Sequence, residues 1–230
     1  MTGKSSSAPI GLLLSGGLDS CILLGHLLEQ GNRVQPFYVR SGLVWQREEF
    51  LAARRFARAA ASVDLDELVT LDLPLEDLYA GHWSLTGRDI PDAQSPDDAV
   101  YLPGRNALLV IKPALWCRMH GIDRLALGVL KSNPFRDATA DFFNPFQSAL
   151  GLAIGGRISL IRPFENLDKR QVMQLGAEMP LELTFSCLQP VDGLHCGRCN
   201  KCAERTAAFR LIDAKDPTEY FGGRLPSVTL

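Results

Sequence analysis

Four of the six cysteines, Cys187, Cys196, Cys199 and Cys202, fall in the pattern C-x₈-C-x₂-C-x₂-C. At that spacing the last three thiols lie on tight turns and the first returns from an adjacent segment, so that four thiolates can close a tetrahedron around Zn²⁺. A closed site has no open position for water, and the zinc it would hold is structural. An iron–sulfur cluster also takes four thiolates, and buried free cysteines serve as small apolar residues. The crowding nevertheless suits a metal site in a reducing compartment better than a disulfide scaffold. Cys21 and Cys117 sit apart, in apolar helical patterns. His195, beside Cys196, is a possible substitute ligand, but four cysteines leave it as a surface residue or a neighbour of the ligands.

The second chemical signal is Ser15-Gly16-Gly17-Leu18-Asp19-Ser20, which follows the apolar run Ile10–Leu14 and precedes an apolar helical pattern. Between a strand and a helix, backbone N–H groups and the helix dipole make an anion site. The glycines let the backbone approach phosphate oxygens, Ser15 and Ser20 can donate hydroxyl hydrogen bonds, and Asp19 can hold Mg²⁺ against a pyrophosphate. Leu14, Ser15, Gly16, Gly17, Leu18, Asp19 and Ser20 are thus the expected phosphate-binding stretch, with Ser15, Asp19 and Ser20 acting on the reacting group. The bland reading is a tight turn with Asp19 or Ser20 as a helix cap. Position at the carboxyl end of the first strand of an α/β sheet favours the functional reading. There is no GK[ST] and no GxGxxG.

The elements that would position these residues alternate. Strands are expected at Ile10–Leu14, Val34–Val39 and Glu67–Leu73, with helices at Asp19–Gln30 and Gln46–Ser62 between them. This predicts an α/β, Rossmann-like parallel sheet with helices on both faces. From Leu75 to Pro103 the pattern dissolves into Gly, Pro, Asp and Ser, which predicts a lid or substrate loop. Structure resumes with helices at Asn106–His120, Ala138–Ile154 and Asp168–Glu178 and strands at Arg124–Leu130 and Arg157–Ile161; the cysteine segment and a last helix follow. One domain spanning 1–230 is expected, with 187–210 as its zinc-binding segment and helix.

The loop at 15–20 resembles the SGGxDS signature of the PP-loop ATP-pyrophosphatases, which cleave ATP between its α- and β-phosphates. Joined to Pro103-Gly104-Arg105-Asn106 and to Ser186-Cys187 through Cys202-Ala203-Glu204-Arg205, it is similar to the 7-cyano-7-deazaguanine synthase family of queuosine biosynthesis, over nearly the whole chain. The resemblance implies the adenine nucleotide alpha-hydrolase-like fold and ATP with Mg²⁺ as co-substrate. It further implies adenylation of 7-carboxy-7-deazaguanine, attack by ammonia to an amide, a second adenylation to the nitrile, and a homodimer. Arg105 and Lys169 become candidate cations near the phosphates or the substrate carboxylate; the bland alternatives are an ion pair and a solvated helix face. Asn106 could equally cap a helix.

Two stretches depart from the family pattern. Where the family carries a Tyr-Gly-Gln-Arg-His-like segment, this chain reads Tyr38-Val39-Arg40-Ser41-Gly42-Leu43-Val44-Trp45-Gln46-Arg47. In place of a Ser-Gly-Tyr-Pro-Asp-Cys-Arg-like segment stands Lys131-Ser132-Asn133-Pro134-Phe135-Arg136-Asp137, where Arg136 and Asp137 could preserve a guanidinium and a carboxylate for a purine-like edge. Phe135, Phe142, Phe143 and Phe146 could stack on a base or build an interface, although such spacing is more often core.

Composition sets the bounds. With 46% hydrophobic and 22% charged residues over 230, the chain can bury one sizeable core. A net charge of −2 offers no global attraction for nucleic acid, which speaks against a tRNA-thiolating relative and for a small-molecule partner. The polar stretch 1–9 and the early interruption of the apolar run give no signal peptide or membrane span, so a cytoplasmic protein is expected. A paralogue acting on another carboxylate or on a protein terminus, and a regulator that holds ATP without turnover, share these motifs.

Overall fold

The computed structural model describes residues 8–223; most of the polar N-terminal stretch, residues 1–7, lies outside the described residues. At its centre are five strands, β1 (Ile10–Leu13), β2 (Val34–Arg40), β3 (Val69–Asp72), β4 (Arg124–Ala126) and β5 (Ser159–Ile161). All pair in parallel, in the order β3-β2-β1-β4-β5. The helices are α1 (Leu18–Glu29), α2 (Gln46–Ala59), the short α3 (Trp83–Thr86), α4 (Arg105–Met119), α5 (Ala140–Ala153), α6 (Lys169–Leu175) and α7 (Asn200–Leu211).

Alternation along the strands sorts these helices into two layers. Leu12, Leu14, Tyr38 and Ala126 pack with Ile22 of α1, Phe56 of α2 and Val172 of α6. Their neighbours in sequence, Phe37 and Leu125, point the other way and pack with Val110 and Cys117 of α4 and Phe143 of α5. Buried on both faces, the strands read as continuous apolar runs, and the parallel α/β expectation holds.

Two strands are shorter than their apolar runs, for identifiable reasons. In β2 the N–H of Val34 points towards the β3 side, donating to Asp64 O at 2.8 Å, but Pro36 has none to offer there. The Gln35 side-chain amide takes over, donating to Glu67 O at 2.7 Å, and β3 begins at Val69 instead of Glu67. Beyond Ala126, the chain leaves β4 to wrap the loop after β1. A Cβ on Gly128 would lie 3.2 Å from the Asp19 carbonyl carbon and 3.3 Å from Ser20 N.

Residues 75–103 are not draped over a cleft. They dock on the cysteine segment, with Ala93 N donating to Arg198 O at 2.9 Å, Asn200 N to Pro91 O at 3.0 Å and Asn200 Nδ2 to Ser95 O at 2.9 Å. Leu75, Tyr79, Val100 and Leu102 share an apolar cluster with the four cysteines, which explains how so irregular a stretch is held.

The chain runs outward from β1 to β3, then returns across the sheet to β4. The order reverses beside β1, which opens a crevice at the carboxyl ends of β1 and β4, where open α/β sheets bind ligands. Gly16, in the loop after β1, has φ +84°, and an added Cβ would stand 2.4 Å from Glu49 O of α2. Gly31 also has positive φ, +76°, but nothing lies within 4 Å of its virtual Cβ. Gly31→Ala should therefore cost about 1 kcal/mol and Gly16→Ala clearly more than about 2 kcal/mol, since only the latter adds a backbone clash to the left-handed cost. Urea midpoints at unchanged m value check this; equal losses would mean α2 does not brace the loop.

Candidate active site

The crevice is a cleft of about 310 Å³, on the scale of a small-molecule site. Ser15, Gly17, Leu18, Asp19 and Ser20 form its floor. Gly17 is the residue before the first turn of α1, where no side chain caps the helix, so the first N–H groups of the helix remain available to an anion. Ser15 Oγ and Ser20 Oγ stand 3.0 Å apart, and Ser20 Oγ donates to Gly17 O at 3.2 Å, which fixes both hydroxyls at the loop. Leu14 and Gly16 do not line the cleft: Leu14 is a core residue whose N–H donates to Phe37 O at 2.8 Å, and Gly16 accepts from Phe185 N at 2.7 Å. Their part is to hold the loop from behind.

Charged side chains surround this floor. Lys169 Nζ donates to both Asp19 oxygens, at 2.8 and 2.9 Å, and lies 3.5 Å from Glu204, which also pairs with Lys201. Lys169 is therefore not a solvated helix residue. It occupies the first turn of α6, whose start is fixed by a capping box in which Asp168 accepts from Gln171 N and the Gln171 side chain accepts from Asp168 N. Burial pulls the Lys169 ammonium down, but Asp19 and Glu204 outweigh it and hold the pKa above the ordinary lysine value. Arg105 enters from the first turn of α4, with its Nε buried and unpartnered among the described residues. Asn106, next to it, is not the cap of α4. Asp137 is: its carboxylate accepts from Asn106 N at 3.0 Å, and Asn106 Nδ2 donates to Asp137 O and Oδ1.

Sequence reasoning noted Glu204 and Trp45 only as members of longer stretches and passed over Glu49 and Lys201, and all four line the cleft. Glu49 is half-buried on α2; burial pushes its carboxyl up from 4.5 to about 7, against the opposing pull of Arg105 and of hydrogen bonds from Tyr38 and Trp45. In the sequence it is one of several charges on an Arg- and Glu-rich helix, with nothing to mark it. Glu204 and Lys201 flank the last cysteine and could have been noticed from their spacing with Arg205.

The four cysteine sulfurs lie within 4.8 Å of one another, with Cys196–Cys202 and Cys187–Cys199 at 3.9 Å. A tetrahedron with Zn–S bonds of about 2.3 Å has edges of about 3.8 Å, so the set fits one zinc-sized ion. Backbone N–H groups of Leu188, Gln189, Cys196 and Arg198 point at these sulfurs at 3.2–3.5 Å, which favours thiolates. The four could hold a metal such as zinc. Cys21 and Cys117 lie elsewhere in the core, and burial raises both thiols, Cys117 to about 12.

His195 is buried, not on the surface; its Nε2 accepts from Ser186 N at 3.1 Å, and burial holds its pKa down to about 3. Arg205, 1% exposed, donates to Thr184 Oγ1 at 2.8 Å, Leu181 O at 2.9 Å and Ser186 Oγ at 3.3 Å. The cysteine segment thus anchors the stretch 181–186, which supplies Phe185 and Ser186 as one wall of the cleft.

A family model described as "Queuosine biosynthesis protein QueC" matches residues 10–213, which span the loop, the cleft and the cysteine cluster. The chain belongs to the QueC family. It is 32% identical to a 7-cyano-7-deazaguanine synthase of Legionella pneumophila, with 91% of this chain and 95% of the relative covered. A synthase of that name from Methanosphaerula palustris is 31% identical (90% and 97% covered), and one from Methanothermobacter thermautotrophicus 28% (90% and 97%).

The two stretches set apart in the sequence have definite positions in the fold. Of Tyr38–Arg47, Trp45 faces the cleft; of Lys131–Asp137, Asn133 and Phe135 do. Arg136 is exposed and absent from the lining, and Asp137 is consumed at α4, so that pair does not serve as a recognition edge. Phe143 is core, and Phe142 and Phe146 pack against it at the sheet face, away from the cleft. Among the described residues, no helix is long and apolar enough to cross a membrane.

Two outcomes are expected. Metal analysis of the purified chain finds about one zinc per chain, and Cys199→Ser lowers both that content and the melting temperature, the latter by more than about 5 °C; a fully stable, metal-free wild type would contradict this. Because Glu49 has a raised native pKa, the folded chain binds its proton more tightly than the unfolded chain, and that contribution is lost as pH rises from about 4.5 to about 7. Glu49→Gln, with no proton to lose, should gain in melting temperature relative to wild type between pH 5 and pH 8. A constant difference would show that the carboxyl, facing Tyr38, Trp45 and Arg105, titrates normally.

Proposed function

We propose that this chain is an ATP-dependent synthase that adenylates the carboxylate of 7-carboxy-7-deazaguanine and, with ammonia, carries it to 7-cyano-7-deazaguanine with release of AMP and pyrophosphate. The observation that carries this reading is one cleft joining the Ser15–Ser20 loop to two cations, Lys169 and Arg105, at the carboxyl ends of β1 and β4. The names of the relatives and the family assignment support the substrate class.

In the first step a substrate carboxylate oxygen attacks the α-phosphorus of ATP, and the bond to the bridging oxygen breaks as pyrophosphate leaves with its electron pair. The free N–H groups at the start of α1 and the Ser15 and Ser20 hydroxyls receive charge on the phosphates, where oriented donors in a low-dielectric cleft are most effective. Lys169 adds a fixed positive charge, and Arg105 faces the substrate side. Ammonia then displaces AMP and loses a proton to give the amide. The amide oxygen attacks the α-phosphorus of a second ATP, a second pyrophosphate leaves with the electron pair of the broken bridging bond, and loss of AMP with the two protons on nitrogen leaves the nitrile. Asp19 is the residue that would hold Mg²⁺, which would offset charge on the departing pyrophosphate. The zinc-type site stays outside the chemistry, because all four ligand positions are sulfurs.

A second reading, in which the same activation serves another carboxylate or a protein terminus, is favoured by the altered stretch at Tyr38–Arg47, whose Trp45 lies in the wall. Pyrophosphate release from ATP and Mg²⁺ with 7-carboxy-7-deazaguanine and ammonium, followed by mass spectrometry, separates the two. Nitrile and pyrophosphate from wild type, with Asp19→Ala lowered at least about 100-fold, support the synthase. ATP binding without deazaguanine-dependent turnover would reject it.

A further inference from the structure

Three carboxylates line the cleft: Asp19, Glu204 and Glu49. The first two are committed to Lys169 and Lys201. Glu49 is different, having no ion pair among the described residues. Its hydrogen bond from Tyr38 Oη, at 3.4 Å, is long, and that hydroxyl already donates to Gln46 O at 3.0 Å. A carboxylate with four acceptor positions thus retains unfilled ones at the cleft. Across from it stands Arg105, whose buried Nε–H is also unfilled among the described residues. Unsatisfied polar groups in a concave site point to a polar ligand.

The wall carrying Glu49 also narrows the kind of ligand. It is built from the β2–α2 stretch, and it includes the flat indole of Trp45. The phosphate-binding side is already supplied with donors, whereas a carboxylate offers only acceptors and repels phosphate. Its complement is a group with two adjacent N–H donors in one plane, which a carboxylate accepts in fork geometry. Asp137, the carboxylate that the sequence suggested for this task, is occupied at α4.

We propose that Glu49 is the specificity-determining residue of the substrate side, accepting from the ring N–H and the exocyclic 2-amino group of the 2-amino-4-oxopyrimidine ring. This rests on the deazaguanine reading above. A carboxyl that burial pushes up to about 7 fits the role, because two N–H donors from a bound ring favour its ionised form and draw the proton off.

The test compares 7-carboxy-7-deazaguanine with the same bicycle lacking the 2-amino group, in wild type and Glu49→Gln, with the KM for ATP measured alongside. Wild type should prefer the amino substrate by at least about 100-fold in kcat/KM, as expected of a site whose polar groups are left unpaired by the poorer substrate. Glu49→Gln should lose about 100-fold on the amino substrate, chiefly through KM, and little on the analogue, so that the preference collapses, while the KM for ATP stays within about twofold. Equal losses on both substrates would assign Glu49 to holding Trp45 and Tyr38 in place and overturn the proposal, as would a loss confined to ATP. Should Glu49→Gln fail to fold, wild type alone decides: absence of preference for the amino substrate overturns the assignment. A wild type that turns over neither substrate removes the deazaguanine reading itself, a different failure from an active enzyme with no preference.

Discussion

Phe185 N donates to Gly16 O across 2.7 Å, and this contact joins the C-terminal segment to the loop at the other end of the chain. A loop that presents its backbone N–H groups to a ligand cannot be braced from the ligand side, so everything that fixes it must come from behind. Here the braces are the Gly16 carbonyl held by Phe185, the α2 backbone against Gly16, and Gly128 pressed against Asp19 and Ser20. A Cβ at position 16 would run into the α2 backbone and one at position 128 would sit tightly against Asp19 and Ser20, which favours glycine at both. The stretch containing Phe185 depends in turn on Arg205 and His195, both buried beside the cysteine cluster.

Charge in the cleft is arranged by the same economy. Asp19, Lys169, Glu204 and Lys201 form an alternating chain linking α1, α6 and α7. Burial opposes charge in Glu204, but the two lysines outweigh it and hold its pKa below the usual carboxylate value. Such a network holds the Lys169 charge in a fixed place beside the loop at Ser15–Ser20.

The strand–loop–helix unit at the N-terminus and the four-cysteine pattern could be read from sequence because each is local: spacing alone brings the needed groups together. The parallel sheet followed from alternating apolar runs, and Asp168 as the start of α6 from its side-chain type. What escaped was set by tertiary contact. Pro36 shortened β3, a strand more than thirty positions away, by withholding one N–H, and Asp137 capped a helix that begins 32 residues earlier. Glu49 looked like an ordinary surface charge until the cleft was assembled around it, whereas Lys169, already a candidate cation from the sequence, lines that cleft paired with Asp19. The stretch 75–103 read as a lid because its own composition has no period; its order comes from the cysteine segment it docks on.

The strand order carries one further consequence, for how the chain is made. β1 pairs with β2 within about two dozen residues, but its other edge waits for β4, more than a hundred residues later. A growing chain therefore holds a half-sheet, β3-β2-β1, whose most apolar strand has an open edge. Gly128, Lys169 and Phe185 emerge later still, so the cleft is completed only near the end of synthesis. Translation arrested before β4 would yield a half-sheet liable to pair with another copy of itself, and a chaperone that shields an open strand edge should matter more to this fold than one that speeds helix docking.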